Sequence, residues 1–101
     1  MKSSRNRLPD RRPAESFELE VEGIRYTATL GRFPDGSFGE LFLNNHKCNS
    51  SADTAARDGA IVVSIALQHG ADLETIRRAL CRDSQGPLGA ALDIIMGSAA
   101  L

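Results

Sequence analysis

A chain of 101 residues makes one small domain. Its 42% hydrophobic and 25% charged residues are ordinary for a globular protein, and a formal charge of −1 excludes strong overall attraction to polyanions. No apolar run reaches the ~18 residues of a membrane span, no signal-peptide pattern opens the chain, and the distant cysteines Cys48 and Cys81 form no disulfide framework. The expectation is a soluble cytoplasmic protein with no membrane partner.

Residues 1–15 are polar, contain Pro9 and Pro13, and show no period, so they are expected to be a disordered tail ahead of a single domain over 16–98. In the first twelve residues Lys2, Arg5, Arg7, Arg11 and Arg12 stand against only Asp10. Such a tail could displace counterions from nucleic-acid phosphate, but it has no aromatic residue to stack on bases. A solvated tail is the preferred reading.

Phe17–Val21 alternates apolar and acidic residues, the pattern of a half-buried strand. Glu22-Gly23 supplies a two-residue turn into a second strand, Ile24–Gly31, with Tyr26, Ala28 and Leu30 on one face and Thr27 and Thr29 on the other. Pro34-Asp35-Gly36 is a full turn signal before a third strand, Phe38–Asn44. Its Leu41-Phe42-Leu43 run is apolar on both faces.

A helix is expected from Ser51 to Gly70, with Ser50 or Ser51 as cap. On a 3.6-residue wheel Ala52, Ala56, Gly59, Val63 and Ala66 form the buried stripe, widened by Ala55, Ala60, Val62 and Leu67, and Asp53, Arg57, Ser64 and Gln68 the opposite, polar side. Ile61 and Ile65 interrupt that polar side, so a second apolar layer is expected to cover them. Asp72 caps a second helix, Leu73–Cys81, buried along Leu73, Ile76 and Leu80 and carrying a Glu74–Arg78 pair outside. Pro87 starts a third helix with Leu88, Ala91, Leu92 and Ile95 on one face. The expected fold is α+β: a three-stranded antiparallel meander packed on one long helix, followed by two short helices that sit on Ile61 and Ile65. The small residue Gly59 points to a close backbone approach, helix to sheet or helix to helix.

Gly39-Glu40-Leu41-Phe42-Leu43-Asn44, then Lys47 and Ser50, then Ala66-Leu67-Gln68-His69-Gly70-Ala71-Asp72-Leu73-Glu74-Thr75-Ile76 resemble the TSCPD domain family over roughly Phe17 to Met96. That family comprises C-terminal accessory regions of adenosylcobalamin-dependent ribonucleotide reductases and small stand-alone proteins. The Thr-Ser-Cys-Pro-Asp signature would fall near Asp83-Ser84-Gln85-Gly86-Pro87, where a serine and a proline remain and the cysteine is absent. The resemblance implies an association with ribonucleotide reduction, not the reaction, which needs a large barrel and several cysteines.

Candidate site residues follow from chemistry alone. Cys48 beside Lys47, ahead of a helix, could have an activated thiol, yet no partner base is in view. His46, Cys48, His69 and Cys81 would be the ligands of any zinc, although their spacing matches no finger pattern and no cofactor is expected. Arg77, Arg78 and Arg82 could meet a phosphate or an acidic partner. Three carboxylates on alternate positions, Glu18, Glu20 and Glu22, are read as a solvated face. The leading expectation is a non-catalytic binding module that recognises a partner protein or nucleotide-like ligand, as a homodimer or docked on a larger protein such as a reductase. A metal- or thiol-dependent protein using the His46/Cys48 loop is the alternative, and nucleic-acid binding through the tail a weaker one.

Overall fold

The computed structural model describes residues 4–45, 51–82 and 85–100. His46, Lys47, Cys48 and the proposed cap Ser50 lie outside the described residues, as do Asp83 and Ser84 of the signature region. The fold is α+β, with strands β1 (Ala14–Val21), β2 (Ile24–Arg32) and β3 (Phe38–Asn45) followed by helices α1 (Ser51–Gln68), α2 (Leu73–Leu80) and α3 (Pro87–Ala100). The strands form an antiparallel sheet in the order β1-β2-β3. Val21 faces Ile24 across the first turn, where Glu22 (φ 53°) and Gly23 (φ 77°) both take positive φ, as a tight hairpin of this twist requires. A register shift between Gly31 and Arg32 interrupts the β2–β3 ladder. Glu40 lies over Gly31 there, and a β-carbon at position 31 would collide with its side chain.

One face of the sheet carries Leu19, Tyr26, Ala28, Leu30, Leu41 and Leu43 into a core completed by Ala56, Ala60, Val63 and Leu67 of α1 and Ala91, Leu92 and Ile95 of α3. Helix α1 runs back along β3, and α3 crosses to β1 while touching α1. The approach of α1 to α3 is close at Gly59, where a β-carbon would sit 3.0 Å from a Leu88 methyl.

The orientation of α1 corrects the wheel reading. Asp53, Ser64 and Gln68, expected on the solvent side, are buried against β3. Gln68 Nε2 donates to Gly39 O (2.9 Å), Ser64 Oγ accepts from Leu41 N (2.8 Å), and Asp53 Oδ1 accepts from Asn45 N (3.0 Å). The Ser64 hydroxyl also has Leu41 O (3.0 Å) and Ala60 O (2.8 Å) within donating reach. These groups belong to the edge of β3 that β2 does not pair, and a buried edge must be satisfied by something. The lengths agree: Gly39 to Asn45 spans about 20 Å of strand and Asp53 to Gln68 about 22 Å of helix. A polar stripe that reads as solvated therefore seals a sheet edge.

The expected second layer over α1 is also corrected. Ile61 and Ile65 are exposed, as are Ala55 and Val62 from the expected buried stripe, and α2 packs on α3 instead. Leu73 is the buried residue of α2, while Leu80 is largely uncovered. Glu74 pairs with Arg77 rather than Arg78, because Arg77 can also reach Asp93 of α3 (3.2 Å). Asp72 does cap α2, its Oδ2 accepting from Thr75 N (3.1 Å). A helix this short depends on its ends. Asp72→Ala should cost about 1 kcal/mol, seen as a Tm lowered by roughly 4–8 °C in thermal unfolding.

Candidate interaction surface

Small helices and short strands leave apolar side chains uncovered wherever no second layer arrives. Val62 (65% exposed), Ile61 (51%), Phe42 (46%) and Ile65 (41%) are the large apolar residues that α1 and β3 leave in this state. Phe42 projects from the outer face of the sheet, and it joins Ile61, Ala60 and Arg57 in lining a cleft of about 370 Å³ with Thr29 and Asn44. The strip thus continues from the sheet onto the helix, with Arg57 beside it. Arg57 is tethered weakly, 3.6 Å from Asp53. Chemically this is a shallow apolar surface with a cation at its margin. The i, i+4 repeat of Ile61 and Ile65 was its visible signal, and the contribution of Arg57 had none.

A larger hollow of about 480 Å³ lies at the end of the domain where the first hairpin, the start of α1 and the α2–α3 connection meet. Val21, Ile24, Tyr26, Ala52 and Leu88 line it together with Gln85. Gln85-Gly86-Pro87, within the signature region, stands at this hollow. Among the described residues no charged pair lines it.

Of the predicted site residues, His69, Arg77, Arg78, Cys81 and Arg82 are among the described ones. Cys81 caps α2, half-buried, its thiol 3.5 Å from Gly89 O and 3.4 Å from Gln85 Nε2. His69 is exposed just past α1, and His46, Lys47 and Cys48 lie outside the described residues. Among the described residues no group of three or more His, Cys, Asp or Glu side chains could hold a metal ion. Arg77 is engaged by Glu74 and Asp93, and its hydrogen bond to Glu74 is the main cause of a pKa raised above the ordinary arginine value. Arg78 and Arg82 are exposed.

Sequence reasoning also missed the placement of the basic start of the chain. Asn6 N donates to Gln68 O (2.8 Å), Arg5 Nε bonds Gln68 Oε1, and Arg32 N donates to Pro13 O (3.2 Å). Arg12 forms a bidentate pair with the buried Glu40, which lifts the Arg12 pKa above its usual value chiefly through that hydrogen bond. Residues 4–13 thus lie along the start of β3 and the end of α1. Their partners, Glu40 and Gln68, are far away in sequence, so no local pattern could reveal them.

No family model matches the chain, and no solved structure matches it. What the chain does match is a short part of much larger proteins. It is 34% identical over 70 residues to a vitamin B12-dependent ribonucleotide reductase of Agrobacterium fabrum, covering 69% of this chain and 6% of the relative. The reductase of the same name from Streptantibioticus cattleyicolor is 37% identical over 71 residues, 70% of this chain and 12% of that one. That from Rhodopirellula baltica is 31% identical over 88 residues, 87% of this chain and 8% of its own length. The chain therefore spans between 6% and 12% of these relatives, and what it shares with them is one small α+β unit. Among the described residues no helix is long and apolar enough to cross a membrane.

Proposed function

We propose that this chain is a non-catalytic docking module related to the TSCPD domain, which binds a vitamin B12-dependent ribonucleotide reductase in the cytoplasm and needs no cofactor of its own. The observation that carries this reading is the extent of the similarity: 69% of this chain falls within 6% of a reductase. A unit repeated at that scale brings a surface rather than a reaction centre, and the strip of Phe42, Ile61, Val62 and Ile65 is the apolar surface it offers.

Purified reductase from the same cell, immobilised and titrated with this protein, tests the proposal. Saturable binding is expected, and Ile61→Asp with Ile65→Asp should raise Kd at least about tenfold, roughly 1.4 kcal/mol, while circular dichroism stays unchanged. No binding by the wild type would end it. A second copy could use the same strip, and sedimentation at micromolar concentration would then show a dimer that the double variant loses.

A further inference from the structure

The two outer edges of the sheet are treated differently. On β3, Gln68, Ser64 and Asp53 engage Gly39 O, Leu41 N and O, and Asn45 N, groups that β2 leaves over. On β1, among the described residues, no group outside β2 bonds the backbone of Ala14–Val21. Beside that open edge lies a groove of about 380 Å³ between the sheet and α3, lined by Phe17, Leu30, Ile94 and Ile95 with Glu15 and Arg32. Ile94 stays 41% exposed there. The Arg32 charge is already met by Glu15 (2.9 Å). On the other face of the strand Glu18 and Glu20 are exposed, and Arg25, the register partner of Glu20, stands 3.8 Å from Glu18.

We propose that β1 accepts an added strand from a partner polypeptide that alternates apolar and basic residues. This goes beyond the docking strip on α1, from which it is independent. Main-chain bonds to an open edge supply affinity, and alternate side chains supply specificity. Apolar side chains of the added strand would enter the groove at Phe17 and Ile94. Lysine or arginine at the intervening positions would stand beside Glu18 and Glu20, where opposite charges across strands attract. The same carboxylates disfavour a second copy, since antiparallel β1–β1 pairing would set glutamates against glutamates.

The probe is a fluorescein-labelled octapeptide of alternating valine and lysine, titrated into the full chain by fluorescence anisotropy and followed by amide chemical shifts. Saturable binding with shifts confined to Ala14–Val21 and the Phe17–Ile94 groove is expected. A version N-methylated on alternate backbone amides keeps every charge but cannot pair, and should bind at least tenfold more weakly to the same wild-type protein. Glu18→Lys with Glu20→Lys should reverse the preference toward a valine–glutamate octapeptide. Equal binding of the N-methylated peptide, equal binding of both charge types, or shifts away from β1 would each overturn the proposal. So would a concentration-dependent dimer whose shifts map to β1.

Discussion

Replacing Leu92 by alanine should lower the unfolding free energy by about 2–5 kcal/mol, the cost of a cavity where the surroundings cannot collapse. Leu92 is 1% exposed and sits on α3, the helix that closes the core over β1 and touches both α1 and α2. A domain this size has a total stability of about 5–15 kcal/mol, so one truncation removes a large share of it. The expected thermal shift exceeds about 10 °C. Ile94→Ala, two residues along the same helix but 41% exposed, should cost less than about 1 kcal/mol. Similar losses from the two substitutions would mean that α3 is not seated as described.

The strands were legible because period-two alternation and turn chemistry act locally. Phe17, Leu19 and Val21, the Glu22-Gly23 turn, and Tyr26, Ala28 and Leu30 appear where the pattern put them, with β1 starting earlier, at Ala14. Helices α2 and α3 were equally readable from Asp72 and Pro87. The rotation of α1 was not. A hydrophobic wheel assumes that polar residues seek water, whereas Asp53, Ser64 and Gln68 seek the unpaired backbone of β3. Ile61 and Ile65 do face outward, as the wheel put them, but the layer expected over them packs elsewhere, α2 on α3. The Glu74–Arg77 pair shows the same limit at smaller scale. Spacing i, i+4 favours Arg78, but Asp93 on another helix draws Arg77 into place. Contacts between distant segments decided each case, and none leaves a local trace.

Substitutions at neighbouring positions of α1 can separate these two orientations. Ser64→Ala should cost about 1–3 kcal/mol, because the buried Leu41 N–H loses its acceptor. Alanine's better helix propensity, roughly 0.5 kcal/mol, offsets only part of this. Ile65→Ser, one residue further, removes an apolar side chain that is 41% exposed and should cost under about 1 kcal/mol. Urea unfolding would show this as a midpoint lowered more by Ser64→Ala at unchanged slope. Native-state hydrogen exchange adds a local readout, since the Leu41 amide should lose protection in Ser64→Ala and keep it in Ile65→Ser. A helix with Ser64 in solvent and a second layer over Ile65 would give the opposite order, with the isoleucine change the costly one. The polar member of this pair holds the fold together while the apolar member is left free to meet a partner, and that inversion is what gives α1 both a structural face and an interaction face.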